Sequence, residues 1–339
     1  MTMRAEQEDR FLAHSGWAGA VRTPLAGDAS ARRYQRLFKG AERAVLMDAP
    51  PDRGEDTGRF SRMAFWLRDR SYSAPDILAE DRASGFLLLE DLGEDLFARL
   101  ISANPAAEQD LYTAAVDFLI DLHRYPAAEF VAPLDGPALA DLVELTPKWY
   151  LPGVGEAPND QAGNLPRLVS DLCARIAGQG PVTGLRDFHA ENLIWLPDRT
   201  GIAQVGLLDF QDAVATHPAY DLVSLLQDAR RDVPLALERA MVDRYLTTTG
   251  LGAEAFGFAY ALLGAQRALR IIGVFARLTL HFGKPHYLGY MPRVWGYLLR
   301  NLAHPGLAAL NDAVRAGLPE PVPERMQRMM DQCGQYPTP

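Results

Sequence analysis

RDFHAEN (186–192), followed after an apolar stretch by GLLDFQDA (206–213), places Asp187, Asn192 and Asp209 in a fixed order along the chain. An Asp with an Asn five positions on, then an Asp-Phe at the end of an apolar strand, supplies a proton acceptor and two oxygen ligands for a hard cation. Phosphoryl transfer from a nucleotide needs these groups: a Mg²⁺ clamp on the phosphates and a carboxylate that aims and deprotonates the attacking hydroxyl. Either segment alone is a weak signal. A lone Asp in a loop is ordinarily a turn or cap residue, and Asn192 could equally cap the segment after it. The ordered pair, with apolar runs on its flanks, is strong.

The rest of the composition leaves room for such an enzyme. A chain of 339 residues, 48% hydrophobic and 23% charged, can bury a large core. Its 34 basic and 43 acidic residues give a formal charge of −9, which argues against a nucleic-acid surface but not against a local basic pocket. Two cysteines far apart, Cys173 and Cys333, fit a reduced compartment better than a disulfide scaffold. The opening MTMRAEQEDRFLAHSGW (1–17) lacks a continuous apolar core, and no later run is expected to reach the roughly 20 apolar residues of a membrane span. The expectation is a cytoplasmic protein with neither membrane nor nucleic acid as partner; its oligomeric state stays open.

Outward from the motifs, two patterns divide the chain. Residues 5–20 read as a short amphipathic helix, and PLAGDASARRYQRLF (24–38) as two strands around a Gly-Asp-Ala-Ser turn. AVLMDAP (44–50) is a strand stopped by Pro50 and Pro51, RFSRMAFWLRDR (59–70) is a helix, and FLLLEDLG (86–93) is a buried strand. After that, LYTAAVDFLIDLHRYP (111–126) carries apolar residues at helical spacing up to Pro126, and residues 220–302 are mostly helix-patterned. LPGVGEAPNDQAGNLP (151–166) reads as an exposed loop, and the tail QCGQYPTP (332–339) as frayed. The predicted fold class is α+β, with a small sheet-bearing lobe at 1–92 and a larger, mostly helical one at 93–339.

These motifs resemble the aminoglycoside phosphotransferase and choline kinase family, which has a bilobal protein-kinase-like fold: a small N-lobe with an antiparallel sheet and a larger helical C-lobe. The family's His-Gly-Asp-x-x-x-x-Asn loop falls on Leu185, Arg186, Asp187 and Asn192. The resemblance implies that Asp187 is the catalytic base, that Asn192 and Asp209 hold Mg²⁺, and that ATP is the phosphoryl donor. It also implies that His189 holds the loop and that Asp221, in HPAYDLVSLL (217–226), braces it from behind. Gly27 and Ser30 occupy the phosphate-covering turn, and the backbone at Glu90 and Leu92 takes the place of the adenine hinge. The family's strand-three lysine falls on Met47, and no acid stands at Phe60–Arg62 to pair with it. Arg32 or Arg33 could supply the missing charge; otherwise nucleotide binding is weak, or the chain is a regulatory pseudokinase.

The acceptor side is read from residues 266–300, where Arg267, Arg270, Arg277, Lys284 and Arg293 and the aromatics Tyr287, Tyr290 and Trp295 occur without an acid. Polycationic aminoglycosides would call for carboxylates there. Arg and aromatic faces suit a neutral or anionic sugar, with Arg186, Arg267 and Arg270 as candidate contacts. The wording of 205–233, with MDAPP (47–51), resembles a bacterial subfamily of anomeric kinases for N-acetylmuramate and N-acetylglucosamine that serve cell-wall recycling. An aminoglycoside-resistance kinase is the competing reading within the same chemistry.

Overall fold

Val21–Pro24 (β1), Arg33–Lys39 (β2) and Glu42–Asp48 (β3) pair antiparallel, and Gly40, at φ +61°, turns the chain between the last two. Two more strands, Ile77–Asp81 (β4) and Phe86–Glu90 (β5), complete an antiparallel sheet in the order β1-β2-β3-β5-β4. β4, with only Ile77, Leu78 and Ala79 before two acids, was not legible in the sequence. The computed structural model from which these elements are read describes residues 3–25, 31–178 and 180–337.

Because side chains alternate across a strand, the register sorts the sheet into two faces. The rows Leu37–Ala44 and Gln35–Leu46–Leu88 contribute to one face, where the helix α1 (Met3–His14) lays Phe11 and Leu12 on Leu37, Leu46, Phe86 and Leu88. Full burial of such side chains is worth about 1.5–3 kcal/mol each. The rows Arg36–Val45–Leu89 and Tyr34–Met47–Leu87 make the opposite face. α1 ends earlier than the expected residue 20, because Trp17 N–H folds back to the Leu12 carbonyl at 2.7 Å around Gly16. A second helix, α2 (Thr57–Arg68), starts at Asp56, whose carboxylate accepts from Gly58 N–H at 2.9 Å.

Two compact units result. The first comprises Met1–Ala115 and Ala190–Ala213, the second Val116–His189 and Val214–Pro339. This division differs from a break at residue 92. Helix α3 (Phe97–Ala103) and the hairpin of Leu193–Trp195 with Val205–Leu207 go with the sheet. They are tied there by Trp195 N–H to Asp95 O at 2.8 Å and Ala98 N–H to Ala190 O at 3.0 Å.

The second unit is helical, with three short strands at 132–133, 182–184 and 214–216. Its helices are the last turns of α4 (Glu108–Leu122), then α5 (Gly136–Val143), α6 (Leu151–Val154), α7 (Asp160–Gly163), α8 (Leu165–Cys173), α9 (Ala219–Leu226), α10 (Leu235–Thr249), α11 (Ala253–Leu280), α12 (Met291–Leu302), α13 (Ala308–Gly317) and α14 (Pro323–Asp331). α11 is the spine, packed by α9, α12 and the π-helical turn Thr146–Tyr150. A Cβ on Gly273 would lie 2.5 Å from the Leu145 carbonyl carbon, so the missing side chain is what lets this turn press onto α11.

Three expectations are corrected here. Residues 151–166 are not an exposed loop: Leu151, Val154 and Ala162 are buried, and Asn159 caps α7 by accepting from Ala162 N–H at 2.9 Å. The tail is not frayed through Pro337, since Gly334 and Tyr336 N–H bond the Thr279 and Leu280 carbonyls, each at 3.0 Å. α11, with 28 residues, is long and apolar enough to cross a membrane, contrary to the reading that no segment is; 78% of its most apolar window is buried in the protein. Both cysteines are free thiols.

Candidate active site

The pocket-facing rows of the sheet, the hairpin and α2 enclose a cavity of about 370 Å³ within the first unit. Leu25, Val45, Leu89, Leu92, Ile194 and Leu207 give it apolar walls, and Arg32, Arg36, Glu90, Asn192 and Asp209 bring polar groups to it. Asn192 and Asp209 meet there because an antiparallel hairpin sets the start of one strand beside the end of the other. Leu208 N–H bonds the Asn192 carbonyl at 2.9 Å, and Asp209 is the next residue. Asp209 sits at φ +54°, a left-handed conformation uncommon for non-glycine residues. It is held on both sides. Gln211 donates to its Oδ1 at 2.6 Å, while Phe210 is fully buried against Phe60 of α2 with ring centroids 4.8 Å apart.

The expected phosphate cations separate. Arg32 reaches the cavity, donating to Asp209 Oδ1 at 3.3 Å with Glu55 Oε2 at 3.8 Å from its Nε. Arg33 does not line it. Its guanidinium bonds the buried Asp48 together with Arg4, because successive residues of extended chain, here the first residue of β2 and the one before it, point to opposite faces. Gly27 and Ser30 lie outside the described residues. Met47, in the strand-three position, is buried beside Tyr34 and Leu87 on the cavity face.

At the expected hinge, Glu90 and Leu92 both line the cavity, but the Glu90 side chain is spent on Arg199 at 2.6 Å and its N–H on Asp76 O at 2.8 Å. Sequence reasoning missed three residues. Arg36 pins the hinge, bonding Asp91 Oδ1 at 3.0 Å and Gly93 O at 2.9 Å; Glu55 and Gln211 are the others. The alternation Arg32, Tyr34, Arg36 on one strand face was the available signal for Arg36.

For a divalent cation, the donors that the hairpin sets side by side in this cavity are the Asp209 carboxylate and the Asn192 amide oxygen. Hard oxygen donors from one carboxylate and one neutral group fit Mg²⁺, which completes its shell with phosphate oxygens and water. The Arg32 guanidinium at Asp209 shows that the carboxylate already attracts a positive charge there.

In the second unit, residues 185–189 form a tight turn built on Asp221. This carboxylate is 1% exposed and accepts Leu185 N–H at 2.5 Å and Arg186 N–H at 2.9 Å. Burial pushes it up to about 6, against those two hydrogen bonds and Arg267. Arg186, at φ +73°, stands where the resembling family has glycine. Its carbonyl accepts from Arg267 Nη1 at 3.2 Å and Ser224 Oγ at 3.4 Å, so its backbone is fixed from both ends.

Asp187 projects from this turn. Burial works to raise its pKa, but Arg270 first, then Arg267, His189 and Arg186, overcome that and hold it below the usual carboxylate value. His189 is buried, accepts at Nε2 from Arg230 at 3.1 Å, and is pushed down to about 3 by burial and that guanidinium. It is therefore neutral and engaged. His123 bonds Tyr245 Oη through Nδ1 at 2.8 Å and is also pushed down to about 3, first by burial.

The residues named for the acceptor fare unequally. Arg267 is a brace, donating to Ser224 Oγ at 2.6 Å and lying 4.6 Å over the Tyr220 ring. Arg270 bonds Tyr220 Oη at 3.3 Å. Tyr287 and Trp295 are not open ring faces: both are buried, Tyr287 on Phe275 at 5.1 Å and Trp295 against Tyr150 at 6.4 Å. Arg293 is held by Asp232 at 2.5 Å.

A family described as "Phosphotransferase enzyme family" matches residues 21–257, and the chain belongs to it. Within it, the chain is 39% identical to an N-acetylmuramate/N-acetylglucosamine kinase of Caulobacter vibrioides, over 91% of this chain and 96% of that protein. Among solved structures, it resembles a choline/ethanolamine kinase family protein from Mesorhizobium loti at a TM-score of 0.61 and 15% identity, over 93% and 100% of the two chains. It also resembles the aminoglycoside phosphotransferase APH(3'')-Id of Streptomyces rimosus, solved with ADP and streptomycin, at 0.52 and 18%, over 81% and 99%. The fold is protein-kinase-like, with an antiparallel sheet in the N-terminal region and a mostly helical C-terminal part.

Proposed function

We propose that this chain is an ATP-dependent sugar kinase that phosphorylates the anomeric C1 hydroxyl of N-acetylmuramate and N-acetylglucosamine, in the cytoplasm, as a step of cell-wall recycling. The observation that carries the choice of acceptor is that the charges acting on Asp187 are arginines that hold its pKa down. Arg186, Arg267 and Arg270 all act on it, while Asp221 is consumed by backbone N–H groups. A polyammonium aminoglycoside would be repelled there, and a neutral or acidic sugar would not.

Each residue has one task in this reading. Residues 1–92, with the hairpin, bind the nucleotide, its base between the apolar walls near Leu92 and its phosphates toward Arg32. The Asp209 carboxylate and the Asn192 amide oxygen would hold Mg²⁺, which supplies charge neutralisation on the phosphate oxygens. Asp187 accepts the C1 hydroxyl proton as that oxygen forms its bond to the γ-phosphorus and the bond to the β-phosphate oxygen breaks, releasing ADP. A hemiacetal hydroxyl is more acidic than an ordinary alcohol, so a base with a lowered pKa suffices. Asp221 and Arg267 hold the turn that aims Asp187, and His189 stays neutral within it.

The test is ADP release with Mg²⁺ and ATP over a panel of acceptors. N-acetylmuramate and N-acetylglucosamine should stimulate release, and kanamycin should not. Kanamycin turnover without sugar turnover would overturn the acceptor assignment. ATP binding that ignores Mg²⁺ equally in wild type and Asp209→Ala, with no acceptor turned over, would favour a regulatory pseudokinase.

A further inference from the structure

Three arginines act electrostatically on Asp187, and one of them, Arg267, has structural work that fixes its side chain. Arg267 is locked to Ser224 and the Arg186 carbonyl; Arg186 is held through its backbone alone, and its Nε is buried without a hydrogen bond. Arg270 differs. It follows Arg267 by three positions on α11, on the same helix face, and its guanidinium makes one long hydrogen bond, to Tyr220 Oη at 3.3 Å. The residue is only partly buried. Arg270 is the cation acting most strongly on Asp187, yet it forms no hydrogen bond with that carboxylate. The result is a planar, permanently charged fork, anchored at one end, beside the group that must receive the acceptor hydroxyl.

A sugar with its C1 hydroxyl on Asp187 would have its C2 acetamide next to the reacting carbon and its C3 substituent one carbon further, within the reach of a long side chain such as Arg270. N-acetylmuramate carries a lactyl carboxylate on C3, and N-acetylglucosamine has a neutral hydroxyl there. We infer that Arg270 reads the lactyl carboxylate and thereby sets the preference for the acidic over the neutral amino sugar. The inference rests on the sugar-kinase reading above and adds to it which residue discriminates. A carboxylate paired bidentately with guanidinium makes charge-assisted bonds that a neutral substituent cannot, a difference of about 10- to 100-fold in kcat/KM.

The experiment compares kcat/KM for N-acetylmuramate, its methyl ester and N-acetylglucosamine in wild type, Arg270→Gln and Arg270→Lys. All are assayed near pH 8, far above the range in which a carboxylate base titrates. Wild type should favour the free acid over the ester by about 10- to 100-fold. Arg270→Gln should erase that preference, with N-acetylmuramate losing at least about tenfold more than N-acetylglucosamine, and Arg270→Lys should restore part of it. If wild type treats acid and ester alike, or Arg270→Gln lowers all three by one common factor, the assignment is overturned and Arg270 only positions Asp187. The ester comparison in wild type decides even if the variants fail to fold. Absence of turnover on every sugar would instead remove the kinase reading, and this inference with it.

Discussion

Arg32 and Arg33 are adjacent in sequence and opposite in fate, and the difference is testable. Arg32→Ala should raise the Michaelis constant for ATP about tenfold while leaving that for the sugar in place. Arg33→Ala should leave the ATP constant alone and lower stability, because the buried Asp48 loses one of its two partners. Steady-state kinetics against varied ATP, with a urea titration of both variants, separates the two. Equal ATP dependence in wild type and Arg32→Ala would mean that metal and backbone carry the phosphate charge alone. For the proposed base, Asp187→Asn keeps the shape and removes the proton acceptor, so kcat should fall about 10²- to 10⁴-fold with ATP affinity retained, as calorimetry would show. Sequence could not separate Arg32 from Arg33, since strand phase relative to an unseen turn decides which one faces the cavity. Nor could it show that Arg186 takes a left-handed backbone, which follows from the Asp221 and Arg267 contacts around it.

At the scale of elements, apolar periodicity located α1, α2, α4, the helices of 220–302 and the main strands, but not α3, α5, α8, α13 or α14. What it could not locate were elements stabilised by partners far away in sequence. β4 alternates half-buried and exposed positions at a sheet edge. α6 and α7 lie in a Gly- and Pro-rich stretch in which Leu151, Val154 and Ala162 are buried. The chain end docks on α11 through backbone bonds that no composition reveals. The hairpin at 193–207 shows the opposite case: two short apolar runs flanked by Asn192 and Asp209 were enough to expect two ligands side by side. The close seat of Thr146–Tyr150 on α11 gives a prediction at this scale. Gly273→Val would drive a branched side chain into the Leu145 carbonyl and should cost about 1–3 kcal/mol or more, read as a lower urea midpoint with an unchanged m-value.

For the molecule as a whole, pH should act on stability through buried groups. His123, His189 and His217, pushed down first by burial to about 3, 3 and 4, take up protons on unfolding anywhere below the ordinary histidine range. A folded pKa below the unfolded one means that stability is intact above about pH 6.5 and is lost as pH falls. Asp221, raised to about 6, acts in the other direction, contributing stability at low pH that fades as pH rises through that value. Three groups against one leave a net uptake of roughly two protons near pH 5, each worth about 1.4 kcal/mol per pH unit. Urea unfolding between pH 5 and 7 should show a clear rise in stability with pH; a flat profile would mean that these imidazoles are solvated. The fold class and the order of Asp187, Asn192 and Asp209 were legible in the sequence because the proposed phosphoryl transfer needs those groups in that order, whereas the arginines proposed for the acceptor have neighbours that only folding reveals. The central claim, transfer to an anomeric oxygen, has one direct measurement: ³¹P and ¹H NMR of the products formed from N-acetylmuramate and from its methyl glycoside with Mg²⁺ and ATP. The account predicts a phosphate coupled to H1 from the free sugar and no product from the glycoside, whose ring is intact but whose C1 hydroxyl is blocked. A phosphorylated methyl glycoside would contradict it.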